Sequence, residues 1–306
     1  MTHEVYISRI NRSVYPGRKV VFPRVFEPEG TVLDPMAGIG WTYFNLVDNK
    51  SVNRIFLADN NPGAKTFFLA IITASLEQPK PEWSELAVES DEFYEEHGIP
   101  FSKKQLDTLK DLATNYDLFT AVNIARKVSR YSYVEDGKII SPRFWNRDYK
   151  SKINPYKVFA DEFKFETPPI PEKFGGYTID DALHAIQKTK PDWIVTDFPF
   201  GDRLDYAALT YPQQLLAKEL NIITDVLETN KMRREEFCNF CMEFARIVSD
   251  LGINCAFLIN PKGNKELQAL DSMLATFQEH GEIYTYIVKI PRYRSNNALI
   301  VFQPKK

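Results

Sequence analysis

The chain has 306 residues, 44% hydrophobic and 26% charged, with a formal net charge of -3; such a composition suits a globular protein with one large core or two modest ones. No run approaches the roughly 20 apolar residues of a membrane span, the first residues lack the basic-then-apolar order of an export signal, and three cysteines are too few for a disulfide framework. The expectation is a cytoplasmic protein with no membrane partner and no histone-like basic excess, although the charge leaves room for a local basic groove.

Residues 31–33 form a short apolar, β-branched run that stops at Asp34-Pro35, and Gly38 and Gly40 then permit a tight turn into a helix beginning near Trp41. A second run at 54–58 ends at Asp59. Pro62 suits the first turn of the next helix, whose apolar face is Phe67, Phe68, Ala70, Ile71 and Ala74. This alternation predicts parallel strands joined by crossover helices.

From about 78 to 166 the alternation breaks. An acidic stretch at 81–97 lacks Lys and Arg, a helical pattern covers 103–130, and at 138–157 six bases accompany one acid, Asp148, among Phe144, Trp145, Tyr149 and Tyr156. The break reads as an inserted subdomain, which divides the chain into 1–78, 79–166 and 167–306. The alternation resumes with a strand at 177–179, a helix at 181–186 and a strand at 192–196 ending at Asp197. Helices at 211–228 and 233–250, a strand at 255–259, a helix at 265–280 and closing strands at 283–290 and 298–302 complete the order.

In an open α/β sheet, ligands bind beyond the carboxyl ends of the strands, where strand order reverses. Asp34, Asp59 and Asp197 end three predicted strands and Asp181 follows a fourth, so four acids are expected along one edge. The 34–40 turn lacks the third glycine of the dinucleotide fingerprint and has no Gly-Lys-Ser/Thr, which argues against a phosphate cradle. Asp59 lies about twenty residues beyond the turn, the place of an acid that takes ribose hydroxyls. Asp-Pro and Asn60-Asn61-Pro62 also suit plain turns and helix caps; the two in register favour a cofactor.

The 34–40 turn (Asp-Pro-Met-Ala-Gly-Ile-Gly), Asp59, Asp181-Ala182 and Asp197-Phe198-Pro199-Phe200, in that order over most of the chain, resemble the class I S-adenosylmethionine-dependent methyltransferases. The resemblance implies an α/β fold: a Rossmann-like, doubly wound, mostly parallel seven-stranded sheet with an inserted, mainly helical subdomain. It also implies S-adenosylmethionine as cofactor. Asp34, Pro35, Ala37, Gly38 and Gly40 would wrap its methionine part, Asp59 with Asn60 its ribose, and Asp181 with Ala182 its adenine amino group; the neighbouring Asp180 is an alternative for that last contact.

Asp197-Phe198-Pro199-Phe200 is similar to the Asp/Asn-Pro-Pro-Tyr/Phe turn of methyltransferases that modify a planar exocyclic amine, such as adenine N6, cytosine N4, guanine N2 or a glutamine amide. The lone pair of such an amine is delocalised. A carboxylate and a backbone carbonyl that accept its two hydrogens draw the nitrogen toward tetrahedral geometry. The resemblance makes Asp197 and the carbonyl of Phe198 the acceptors, next to Pro199, with Phe200 stacking on the base; Phe198 departs from the commonest pattern, which has proline there.

A duplex base must be flipped out to react, and aromatic stacking offsets the unstacking. Phe200 and Tyr206 are the stacking candidates. Arg203, in the extension at 201–206, and Arg143, Arg147 and Lys150 of the basic segment are candidate substrate contacts, although that segment suits a packed lid equally well. The segment at 15–23 resembles the one preceding the first strand of DNA amino-methyltransferases. The expected partner is nucleic acid, DNA ahead of RNA, with room for a partner subunit in target recognition. RNA guanine-N2 or adenine-N6 methylation is the second reading, followed by a protein-glutamine methyltransferase and a non-catalytic partner subunit.

Cys238 and Cys241 lie within a helical pattern with Phe237, Phe240 and Phe244 and read as core thiols. The four histidines lack metal-ligand spacing, so no metal is expected. Arg292-Tyr293-Arg294 reads as a surface loop.

Overall fold

The computed structural model describes residues 25–73, 103–115, 133–135, 138–140, 172–198, 206–227, 233–259, 264–289 and 296–305, with isolated positions between 118 and 125. In chain order the elements are β1 (Gly30–Asp34), α1 (Trp41–Leu46), β2 (Val52–Asp59), α2 (Pro62–Ile72), α3 (Lys103–Asn115), β3 (Tyr133–Glu135), β4 (Lys138–Ile140), β5 (Phe174–Ile179), α4 (Ala182–Thr189), β6 (Trp193–Asp197), α5 (Tyr206–Leu209), α6 (Tyr211–Glu219), α7 (Arg234–Asp250), β7 (Asn254–Ile259), α8 (Asn264–His280), β8 (Gly281–Lys289) and β9 (Asn296–Pro304). They fall into two compact units. One holds the described residues of 19–60, 170–205 and 231–306; the other holds those of 61–169 and 206–230.

The first unit is built on a seven-stranded sheet of order β5-β2-β1-β6-β7-β9-β8. Its first five strands are parallel, and β9 runs antiparallel between β7 and β8. Strand order therefore reverses between β1 and β6, as in a doubly wound sheet. Right-handed crossovers then set α1, between β1 and β2, on the opposite face from α4 and α7, which lead into β6 and β7. Coverage on both faces explains why β6 and β7 are apolar along nearly their whole length and buried at almost every position.

α7 presents Phe237, Cys241, Phe244, Ala245 and Val248 at helical spacing, and these join α8 and the sheet in one core. Phe277 of α8 stacks on Phe302 of β9 at 4.3 Å between ring centroids. Cys241 and Cys255 are both in this core, and burial pushes the Cys255 thiol well above its ordinary range. The two cysteines of α7 are thus packing residues, as their helical setting predicts.

Two elements differ from the sequence expectation. The strand predicted at 177–179 begins at Phe174, because Gly175 and Gly176, poor strand formers, conceal its start. Glycine is needed at 175: a Cβ there would come within 2.7 Å of the Phe56 ring. The helix predicted over 211–228 stops at Glu219. Asn221 takes a left-handed backbone (φ 57°), and the amide of Gln214 then binds the chain as it turns back, donating to the Leu227 carbonyl at 3.1 Å and accepting from its N–H at 2.7 Å. Ile222 and Ile223 continue the apolar period beyond the true helix end and so mimic a longer helix.

In the second unit α6 packs against α2 and α3, with an ion pair between Lys110 and Glu219 at 3.0 Å. The insertion expected to be mainly helical contains, among the described residues, α3 and an antiparallel pair, β3 with β4. No helix among the described residues is long and apolar enough to cross a membrane.

Candidate functional site

Because β5, β2, β1 and β6 are parallel neighbours, their carboxyl ends share one edge of the sheet. Asp34 and Asp59 end β1 and β2, Asp180 and Asp181 follow β5, and Asp197 ends β6. The backbone ladder between β1 and β6 pairs Val32 with Trp193 and Leu33 with Ile194. Beyond those pairs, at the point where strand order reverses, side chains link the two strands.

The Asp34 carboxyl group is only 2% exposed. Its Oδ1 accepts from the Thr196 hydroxyl at 2.7 Å and the Met36 N–H at 3.2 Å, and its Oδ2 accepts from the Thr42 hydroxyl at 2.6 Å. Thr42 Oγ1 also lies 3.0 Å from the Val195 carbonyl. A hydroxyl has one proton to donate, so it is shared unequally, the nearer carboxyl oxygen taking the larger part. Three elements thus meet at one carboxyl group: the end of β1, the first turn of α1 and the end of β6.

The turn after Asp34 is fixed by its backbone. Gly38 and Gly40 occupy left-handed conformations (φ 53° and 81°) that favour glycine. The Gly38 N–H donates to Asp59 Oδ2 at 2.8 Å, and the Gly38 carbonyl accepts from the buried Tyr177 hydroxyl at 2.6 Å. The Ala37 N–H reaches the Ala58 carbonyl and the Gly40 N–H the Ala37 carbonyl. Four amides of the turn, those of Met36, Ala37, Gly38 and Gly40, are therefore committed within the protein, unlike a phosphate loop whose amides point outward at an anion. Pro35 and Ala37 are buried.

At the end of β5 the two acids divide their tasks. Asp181 is the N-cap of α4, its Oδ1 accepting from the N–H groups of Leu183 and His184 at 2.9 and 3.2 Å. Asp180 Oδ1 lies 2.7 Å from His184 Nδ1, and the Asp180 N–H donates to the Asp59 carbonyl at 3.1 Å. Ala182 is buried and Asn60 exposed.

Asp197 is half-buried at the end of β6. The ring of Phe198 is 4% exposed and packs at 5.0 Å from both Phe244 and Phe257 and at 5.7 Å from Phe240, while its N–H donates to the Leu258 carbonyl at 2.9 Å. The residue that departs from the commonest motif is thus a core anchor. Pro199, Phe200, Arg203, Arg143, Arg147, Lys150 and the 15–23 segment lie outside the described residues.

In the second unit, Tyr206 begins α5 and its carbonyl accepts from the Thr210 hydroxyl at 2.8 Å. Asn61 caps α2 through the Gly63 N–H and lies 3.1 Å from Thr210 Oγ1.

Tyr177, Thr42 and Thr196 are absent from the residues that sequence reasoning selects for this edge. Thr196 leaves a signal, a polar residue inside an apolar strand and next to the motif acid. Thr42 leaves a weaker one, as a hydroxyl in the first turn of an otherwise apolar helix. Tyr177 leaves none.

No family model and no curated protein matches the chain. Among solved structures it is similar to a candidate rRNA methylase from Clostridium thermocellum (9% identity, 99% of this chain and 97% of that one, TM-score 0.35). It is also similar to a candidate methyltransferase from Streptococcus mutans in complex with SAH (9% identity, 100% and 98%, TM-score 0.34), and to the rRNA methyltransferase aviRa from Streptomyces viridochromogenes (12% identity, 98% and 83%, TM-score 0.32). Likeness at this level says nothing about activity.

Proposed function

We propose that the chain is an S-adenosylmethionine-dependent methyltransferase acting on an exocyclic amino group of a nucleic-acid base. One observation carries the reading: a glycine turn clasped by Asp59 lies at the switch point, and Asp197 ends the strand on its other side. The turn suits a cofactor without phosphates, because the amides of Met36, Ala37, Gly38 and Gly40 donate inside the protein. A carboxylate at the end of β2 suits ribose hydroxyls, since each of its oxygens can accept more than one hydrogen. Asp180 and Asp181 are the candidates for the adenine amino group.

When bound, the cofactor supplies a methyl group on a sulfonium whose sulfur retains the bonding pair. Asp197 accepts one hydrogen of the target amine and the Phe198 carbonyl the other, which turns the nitrogen lone pair toward the methyl. The amine loses one proton as it is methylated, and Asp197 is the group to receive it. With the Phe198 ring in the core, its backbone remains for this contact, so proline is dispensable at that position. Within the unit that holds Asp197, Phe200 is the candidate to stack on the base and Arg203 the candidate to contact a phosphate.

DNA, at adenine N6 or cytosine N4, is the first target, supported by the insertion before the Asp197 turn and by the 15–23 segment. Phe198 in place of proline favours the second reading, RNA guanine N2 or adenine N6. A partner subunit would share target recognition. The test is calorimetric titration with S-adenosylmethionine, followed by methyl transfer with an Asp197→Ala variant. That variant is expected to bind cofactor as the parent does and to lose at least about a hundredfold in transfer. Parental turnover by it would overturn the assignment of Asp197, and a parent protein that does not bind the cofactor would overturn the reading.

A further inference from the structure

We propose that Thr196 and Thr42 are positioning residues of this site, acting through the buried carboxyl group of Asp34 to hold Asp197 in register with the glycine turn across the opened β1/β6 crevice. The proposal rests on the methyltransferase reading and adds to it a coupling between its two halves. The β1/β6 ladder pairs residues as far as Leu33 and Ile194. Asp197 lies three residues further on. On its far side it is held by β7, where Thr196 pairs with Phe257 and Asp197 with Leu258. Toward β1, side chains link the strands: Thr196 to Asp34 at 2.7 Å, Thr42 to Asp34 at 2.6 Å, and Thr42 to the Val195 carbonyl at 3.0 Å.

The same carboxyl group also sets the turn. Asp34 Oδ1 accepts the Met36 N–H as well as the Thr196 hydroxyl, so the start of the cofactor turn and the residue next to Asp197 share one oxygen atom. Successive strand residues point to opposite faces. Thr196 can therefore bind Asp34 while Asp197, its neighbour, directs its carboxyl group elsewhere. Thr42 and Thr196 are both fully buried, so each hydroxyl needs a partner inside the protein. A geometry shared through one atom ties the acceptor of the amine to the turn that holds the methyl donor, and a displacement of about 1 Å between reacting groups costs on the order of a hundredfold in rate.

Thr196→Val removes the hydroxyl while keeping shape and strand preference, and Thr196→Ser keeps the hydroxyl. Three readouts are needed for each: cofactor affinity by calorimetry, melting temperature, and the single-turnover rate of methyl transfer to the parent's nucleic-acid substrate. Thr196→Val is expected to bind cofactor within about threefold of the parent and to transfer methyl about 10- to 100-fold more slowly. Thr196→Ser is expected to recover most of the rate, and Thr42→Val to share the defect. A parental rate in Thr196→Val would overturn the proposal, as would a Thr196→Ser variant as slow as Thr196→Val, because bulk and not the hydroxyl would then matter. A parent that binds cofactor and methylates nucleic acid while Thr196→Val is normal refutes the coupling alone. A parent that does neither refutes the methyltransferase reading and the coupling with it.

Discussion

Phe198→Pro would bring the Asp197 turn closer to the commonest motif, and the structure predicts that it damages this protein. The Phe198 ring is 4% exposed and lies against Phe240, Phe244 and Phe257. Truncating such a ring typically costs about 3–5 kcal/mol, and a proline ring refills only part of the space. Proline also removes the N–H that donates to the Leu258 carbonyl at 2.9 Å, and a buried acceptor left without its donor costs about 1–3 kcal/mol. The two terms add to about 4–8 kcal/mol before the partial refilling by proline, a large share of the roughly 5–15 kcal/mol that holds a typical domain folded. At about 2 °C per kcal/mol for a chain of this size, the melting temperature should fall by on the order of 10 °C. Phe198→Leu is the control: it keeps the N–H and much of the apolar bulk, with an expected cost of about 0.5–3 kcal/mol. Urea denaturation of the three proteins measures the difference. A proline variant as stable as the parent would refute the assignment of Phe198 as a core anchor.

Tyr177→Phe removes the donor to the Gly38 carbonyl and should cost about 1–3 kcal/mol in urea denaturation while weakening cofactor binding; an unchanged midpoint would show that the hydroxyl does not hold the turn. Gly63→Ala would place a Cβ 2.5 Å from Thr210 Oγ1 and 2.7 Å from Thr210 Cβ, so the melting temperature should fall by a few degrees, with a cost of about 1–3 kcal/mol. Burial pushes the Tyr43 phenol up to about 12 from an ordinary value near 10. The unfolded chain therefore releases that proton first, and the stability Tyr43 contributes is intact below about pH 10 and declines as pH rises toward about 12. Unfolding free energies measured across that range should decline less in Tyr43→Phe than in the parent, and equal slopes would contradict the assignment.

The sheet was legible where strands carried apolar runs closed by an acid, as at 55–58 and 193–196, because burial of most positions writes itself into composition. It was less legible where glycine served packing, as at Gly175, since a residue chosen for close approach to Phe56 carries the propensity of a loop. The end of α6 was obscured for the opposite reason: Ile222 and Ile223 keep the helical period, whereas the chain reversal depends on Gln214 bonding to Leu227, a tertiary contact without a local signature. Asp34 and Asp59 could be selected from the sequence, but the partners that define their geometry could not. Thr42, Tyr177 and Thr196 come from α1, β5 and β6 and meet the turn only after the strands have paired.

The most direct test of the central claim is transfer of labelled methyl from S-adenosylmethionine to duplex DNA, tRNA and rRNA in parallel, with digestion to nucleosides. Label is expected in an exocyclic amine: N6-methyladenine or N4-methylcytosine from DNA on the first reading, N2-methylguanine or N6-methyladenine from RNA on the second. Label confined to a ring carbon, a ring nitrogen or a ribose hydroxyl, or no label in any of the three from a protein that binds the cofactor, would contradict it.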